Sequence, residues 1–159
     1  MNSKFLLVAV FSLISIGCFS QKSDFFLLGK FGYHYGDPGD RLGIGAEARV
    51  AITDPIKIVS SMTYMFTHQD VKGFDVNVNA IYSFPIQDTQ LQLYPLVGIN
   101  MDNNRWSKNG KSRNWTKWGA NIGGGADYYV SRYNFVNIEI QYTLIRDYAK
   151  MMIGFGHRF

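Results

Sequence analysis

Residues 136–142 read Val136-Asn137-Ile138-Glu139-Ile140-Gln141-Tyr142, in which every even position is apolar or aromatic and every odd position is polar. A period of two is that of a β-strand with two unlike faces, and a helical period of 3.6 residues does not fit it. The same alternation recurs at residues 74–80 and 42–50. The pattern therefore predicts an all-β chain.

The same period, followed along the chain, predicts eight strands. They run at about 25–35, 42–52, 56–67, 74–84, 91–101, 118–128, 135–145 and 151–159. Each strand is close to the length, about nine to eleven residues, with which a tilted strand crosses a bilayer. Short connections alternate with longer ones, of which residues 102–117 are predicted to form a polar loop. Short turns on one side and longer loops on the other are typical of outer-membrane barrels, with the short turns in the periplasm.

Pro95 lies inside the fifth predicted strand. Because proline has no N–H group to donate to a strand ladder, its place in the middle of a strand needs a local irregularity. We expect a β-bulge at Tyr94-Pro95.

The first twenty residues have the features of a cleaved export signal. Lys4 supplies a positive charge, residues 5–16 are apolar apart from two serines, and Cys18-Phe19-Ser20 precedes the expected cleavage site. We expect residues 1–20 to be removed and residues 21–159 to form one outer-membrane barrel domain. The alternative, a lipoprotein acylated at Cys18, is disfavoured because Ser15 stands where such signals usually carry leucine.

The mature chain contains no cysteine, which excludes disulfides and thiolate chemistry. It also lacks an apolar run of the length that a transmembrane helix requires. If the chain enters a membrane, it therefore does so as strands.

The polar face of the strands is predicted to point into the barrel. Of the eleven glycines in the predicted strands, nine share the parity of that face. The lumen of an eight-stranded barrel only just admits side chains, so small residues belong there. Aromatic residues lie toward both ends of the apolar face, around an aliphatic middle, as at two membrane interfaces. A soluble barrel would also alternate, but it would have no reason to sort its aromatic residues in this way.

Charged residues on the polar face are balanced in number. We predict an interior ion-pair cluster because buried charges are tolerated when they are paired. Its members are Lys30, Arg49, Lys57 and Arg158 with Glu47, Asp75, Asp127 and Glu139.

The predicted loop at residues 102–117 holds five cations against the single acid Asp102. The external basic loop consists of Arg105, Trp106, Lys108, Lys111, Arg113, Trp115 and Lys117. Cationic clusters attract phosphates and acidic sugars, so we expect contact with surface lipopolysaccharide or with another surface polyanion or protein ligand. The alternative is a solvated loop that is basic because the neighbouring leaflet is anionic. A nucleic-acid partner fits poorly with the export signal.

The last residues, Ile153-Gly154-Phe155-Gly156-His157-Arg158-Phe159, resemble the C-terminal strand of outer-membrane barrels. Such strands end in phenylalanine with apolar or aromatic residues at alternate positions, and the barrel-assembly machinery reads this signal. Phe155 and Phe159 match it, whereas His157 stands where an aromatic residue is usual.

Residues 118–128 form a glycine-rich predicted strand. With this strand and the C-terminal residues 153–159, the chain resembles small barrels of the outer membrane protein A, X and W type. The resemblance implies an eight-stranded antiparallel up-and-down transmembrane β-barrel. It also implies an integral place in the bacterial outer membrane, in contact with its lipid and lipopolysaccharide.

Three classes of function remain open at this point. The favoured one is a non-enzymatic surface barrel with a filled interior, which acts through its external loops in surface binding, adhesion or envelope integrity. The second is a narrow channel or small-ligand transport barrel, with Lys30, Glu47 and Glu139 at the constriction.

The third class is a lipid A-modifying enzyme, which needs a base beside a nucleophile. The deacylase pattern, a histidine two residues before a serine, does not occur in the chain. We predict no catalytic residue and no cofactor. We also predict no metal site, because His34, His68 and His157 fall in different elements.

Overall fold

The structure is a computed structural model that describes residues 24–36, 39–68, 70–108, 111–144 and 148–159. For Thr67, His68, Lys108 and Lys111 it describes the backbone alone. The predicted export signal at residues 1–20, with Cys18, lies outside these ranges, so its cleavage stays a prediction. In the described ranges, no helix has both the length and the apolar character needed to cross a membrane.

Eight long antiparallel strands form a closed ring. They are β1 (Phe25–Tyr35), β2 (Arg41–Ala51), β3 (Ile56–His68), β4 (Val71–Tyr82), β6 (Leu91–Lys108), β7 (Lys111–Tyr129), β8 (Asn134–Leu144) and β9 (Tyr148–Arg158). A two-residue strand, β5 (Phe84–Pro85), continues the line of β4 and pairs with β6. Each long strand pairs with the next long strand along the chain, and β9 pairs with β1 to close the ring. The predicted eight-stranded up-and-down barrel is confirmed.

In the middle of the long strands, the alternating polar residues face the lumen. Glu47 and Glu139 are 2% and 4% exposed, whereas Ile44 and Ile140 are 54% and 57% exposed. A soluble protein buries most of its large aliphatic side chains, and this chain presents many of them on its outer wall instead. That wall matches the apolar band that a barrel turns toward lipid.

Residues 102–117 do not form the predicted loop. The strands β6 and β7 continue through this segment as a regular hairpin, from the pair Asp102–Lys117 to the pair Lys108–Lys111. We refer to residues 102–117 as the external hairpin. Sequence reasoning missed it because polar residues lie on both of its faces, so its polarity does not alternate with the strand period.

The external hairpin rises above its neighbour on one side. The strand β8 ends at Leu144, which pairs with Ala120, so residues 111–119 of β7 have β6 on one edge and no described strand on the other. Strand β4 accompanies the hairpin on the β6 side as far as the pair Val71–Trp106. The external rim of the barrel is therefore higher at β4, β6 and β7 than at β8.

The bulge predicted at Tyr94-Pro95 is wrong. The register between β6 and β7 runs without a shift from Leu91 to Lys108. On the other side of β6, the ladder stops at the pair Ile81–Leu96 and resumes at the pair Phe84–Leu93. Because Pro95 offers no N–H group, the ladder loses hydrogen bonds on that side without the insertion of an extra residue.

Candidate functional site

Five charged side chains form an ion-pair network across the lumen. Lys30 Nζ lies 2.6 Å from Glu47 Oε2 and 3.0 Å from Glu139 Oε1. Arg49 Nε lies 2.6 Å from Glu47 Oε1, and Arg49 Nη1 lies 2.6 Å from Asp127 Oδ2. All five side chains are at most 5% exposed. We refer to these residues as the lumen network. Their close pairing offsets the cost of removing the charges from water.

Tyr94 joins this network from β6. Its hydroxyl donates a hydrogen bond to Glu139 Oε2 at 3.0 Å and accepts one from Asn137 Nδ2 at 2.8 Å. Sequence reasoning treated Tyr94 only as part of a bulge and missed this role. Tyr94 is an even number of residues from Asn100 on β6, and this spacing could have indicated that both side chains face the lumen.

Asp75 lies in a second polar layer. It pairs with Lys150 at 3.2 Å, and its carboxylate accepts hydrogen bonds from Asn77 at 2.9 Å and Asn100 at 2.8 Å. Lys150 was missed because the last strand was predicted to begin at residue 151, whereas β9 begins at Tyr148. Amides that hydrogen-bond one another across this layer belong to Asn77, Asn79, Asn100, Asn121 and Gln141.

Lys57 and Arg158 do not join the acids of the predicted cluster. Lys57 Nζ donates to Ser83 Oγ at 2.6 Å and to Gln92 Oε1 at 3.4 Å. Arg158 pairs at the rim with Asp24, at 2.5 Å between Nη2 and Oδ2, with both side chains about two-fifths exposed (41% and 43%). Parity shows which face a residue occupies, but its height in the barrel depends on register and shear.

The structure places His34 fully buried in the lumen. Its Nδ1 shares a hydrogen bond with the hydroxyl of Tyr148. The hydroxyl of Ser61 accepts a hydrogen bond from Asn77 at 3.3 Å and not from His34. The described residues contain no group of three or more His, Cys, Asp or Glu side chains that could hold a metal ion.

The external hairpin combines cations with tryptophans on one short sheet. Trp106 lies opposite Arg113, and Trp115 lies opposite Asn104. Arg105, Arg113 and Lys117 are exposed, and the two tryptophans are half-buried. The side chains of Lys108 and Lys111 lie outside the described part of the structure. Among the described residues, Arg105 and Arg113 have no ion-pair partner, so their charge is available to a ligand.

The two phenylalanines of the predicted assembly signal lie on the outer wall. Phe155 is 57% exposed and Phe159 is 67% exposed. The ring of Phe159 lies 5.8 Å from that of Phe25, at the junction where β9 meets β1. Their recognition by the barrel-assembly machinery stays a prediction.

A closed ring of eight antiparallel strands, with charges inside and an apolar outer wall, defines a small transmembrane β-barrel. The chain belongs to the outer membrane protein β-barrel domain family, whose model matches residues 7–159. Membership of this family points to the bacterial outer membrane as the location. No curated protein matches the chain significantly.

Several solved structures share the fold. The N-terminal β-barrel domain of Pseudomonas aeruginosa OprF has a TM-score of 0.71 and 22% identity, covering 86% of this chain and 97% of that one. Neisserial surface protein A (NspA) has a TM-score of 0.67 and 15% identity, covering 86% and 95%. Ail of Yersinia pestis, in complex with the heparin analogue sucrose octasulfate, has a TM-score of 0.63 and 18% identity, covering 86% and 98%. These identities are low, so the likeness is one of fold.

Proposed function

We propose that this protein is a non-enzymatic surface barrel whose external hairpin binds polyanions, such as the phosphates or acidic sugars of lipopolysaccharide. The observation that carries the proposal is that the hairpin, which rises beyond the end of β8, exposes a guanidinium group on each of its faces, Arg105 on one and Arg113 on the other. Guanidinium groups bind phosphate and sulfate oxygens through two parallel hydrogen bonds.

The strand register strengthens this proposal. Lys72 of β4 lies directly opposite Arg105 of β6, and both side chains are exposed. Like charges in directly opposed positions destabilise a sheet. An anion held between Lys72 and Arg105 would relieve that repulsion.

The neighbouring tryptophans supply apolar contact. Trp106 lies opposite Arg113 across the hairpin and shares a face with Arg113 and Trp115. Aromatic rings contribute a large contact area at low entropic cost, which suits a ligand with sugar rings. Ail, which has the same fold, was crystallised with the polyanion sucrose octasulfate, so a barrel of this type is compatible with that class of ligand.

The filled interior supports surface binding over transport. The lumen network leaves its five side chains at most 5% exposed, and eight-stranded barrels usually have filled interiors. In the described residues, the hydrogen bonds of His34 and His157 are with Tyr148 and Asn134. Neither contact is the pair of base and nucleophile that a lipid A-modifying enzyme needs.

Calorimetric titration of the barrel in a neutral detergent with sucrose octasulfate tests the proposal. We expect Arg105→Gln with Arg113→Gln to weaken binding by about tenfold or more, since each charge-assisted hydrogen bond contributes roughly 1.5–3 kcal/mol. The matched control is Arg132→Gln, an exposed arginine at the opposite end of the barrel, which should not change the affinity.

Salt dependence gives a second readout. Affinity for sucrose octasulfate should fall as ionic strength rises, and less steeply in the double variant. A variant with all five hairpin cations replaced by glutamine (Arg105, Lys108, Lys111, Arg113 and Lys117) should bind lipopolysaccharide weakly at low salt. Unchanged binding by this variant would contradict the proposal. It would indicate that these residues are basic because the neighbouring leaflet is anionic.

A further inference from the structure

The periplasmic end of the lumen opens into two adjoining cavities. One, of about 410 Å³, is lined by residues that include Phe26, Lys57 and Ser83. The other, of about 480 Å³, includes Arg132 in its lining. The two share Pro85, Gln92, Tyr129 and Arg158. We refer to both together as the periplasmic vestibule, which contains no member of the lumen network or the external hairpin.

Lys57 differs from the other two buried lysines that the structure describes in the lumen. Lys30 and Lys150 each contact a carboxylate, at 2.6 Å and 3.2 Å. Lys57 is 4% exposed, yet within the described ranges its ammonium has no carboxylate at ion-pair distance. Its hydrogen-bond acceptors are the neutral oxygens of Ser83 and Gln92. A buried charge held by neutral groups alone keeps much of its desolvation cost.

The surroundings of Lys57 are suited to a ligand. An ammonium has three N–H donors, and the contact with Gln92 at 3.4 Å is long. The ring of Phe26 lies 5.3 Å from Lys57 Nζ and provides an apolar surface beside the charge. The volume of the cavity falls in the range of small-molecule sites, about 300–1,000 Å³, which combine apolar walls with a few polar groups.

We propose that the periplasmic vestibule binds a small organic oxyanion, a carboxylate or a phosphate ester, at Lys57. The oxyanion accepts a hydrogen bond from the ammonium, and its apolar part lies against Phe26 and Tyr129. Two acids also line the cavity, but Asp24 is paired with Arg158 and Asp54 lies on the exposed turn after β2. The proposal is independent of the external hairpin, which lies at the other end of the barrel.

Nuclear magnetic resonance of the barrel in maltoside micelles, whose head groups carry no charge, tests this site. The amide signals of Ser83, Gln92 and Tyr129 are followed during titration with sodium butyrate or with glycerol phosphate, against sodium chloride at equal ionic strength. We expect shifts that saturate at millimolar concentrations and are confined to the vestibule. Lys57→Gln should weaken this binding by about tenfold, because it removes a charged hydrogen-bond donor. Asp88→Asn, at an exposed turn of the same end that does not line the vestibule, is the control and should bind as the unmodified protein does.

Each outcome decides part of the question. Saturation with butyrate alone assigns a carboxylate ligand, and saturation with glycerol phosphate alone assigns a phosphate ester. If neither anion shifts the signals more than chloride does, or if folded Lys57→Gln binds unchanged, the proposal is overturned. Lys57 would then be the distant counter-charge of the lumen network, which has three acids and two cations. If Lys57→Gln does not fold, Ser83→Ala serves as the second variant and should also weaken binding.

Discussion

Arg49 of β2 and Asp127 of β7 meet inside the barrel, with 2.6 Å between Nη1 and Oδ2. Four strand-to-strand steps separate β2 from β7 in either direction around the closed ring, so this pair spans the diameter of the lumen. Backbone hydrogen bonds join only neighbouring strands. The pair therefore links two opposite walls that the strand ladders do not connect directly.

Removing the cation of this pair should destabilise the barrel strongly. In Arg49→Met, the carboxylates of Glu47 and Asp127 lose their guanidinium partner and stay buried. We expect the free energy of unfolding, measured by urea titration in lipid vesicles, to fall by about 3–5 kcal/mol. Arg132→Met, at an exposed turn residue, should change it by no more than about 0.5 kcal/mol. Similar losses for the two variants would contradict the structural role of the pair.

The filled lumen predicts a barrel that does not conduct. Reconstituted in a planar bilayer, the protein should show no reproducible single-channel steps, because the lumen network and Tyr94 occupy the cross-section. The informative comparison is with Glu139→Gln, which removes one acid of the network. Clear steps in the unmodified protein whose size changes in this variant would favour the narrow channel instead.

Two glycines of neighbouring strands offer a matched test of the crowded lumen. A Cβ atom built on Gly45 would lie 2.6 Å from the carbonyl oxygen of Met62 and 2.8 Å from Thr63 Oγ1. On Gly29, which faces outward, it would meet nothing within 4 Å. We expect Gly45→Ala to lower the free energy of unfolding by about 1–3 kcal/mol through overpacking. Gly29→Ala should not lower it, and a larger loss there would show that the polar face is not the crowded one.

The single-sided pairing of the external hairpin predicts a gradient of amide hydrogen exchange. Among the described strands, Trp115 pairs with β6 alone, whereas Ile122 pairs with both Val97 and Tyr142. Amides in segments with fewer tertiary contacts open at lower free energy. The amide of Trp115 should therefore exchange faster than that of Ile122, and equal protection would indicate a further partner on the free edge of β7.

Much of the barrel could be predicted from local pattern. The first strand was predicted at residues 25–35, and β1 spans the same residues. The inward direction of Glu47 and Glu139 also followed from parity, since successive side chains of a strand point to opposite faces. Prediction failed at the external hairpin, where polar residues lie on both faces, and at the start of β9, where the aromatic Tyr148 faces the lumen.

The sequence alone determined the strand count, the closed membrane architecture and the identity of the inward face, because each depends on a period of two that lipid and a narrow lumen enforce locally. Only the tertiary structure decided which charges meet. Lys57 and Arg49 share the inward face, yet Arg49 reaches Asp127, whereas the hydrogen-bond acceptors of Lys57 in the described part of the chain are neutral oxygens. The height of each side chain and its partner across the lumen depend on the register and tilt of all eight strands together.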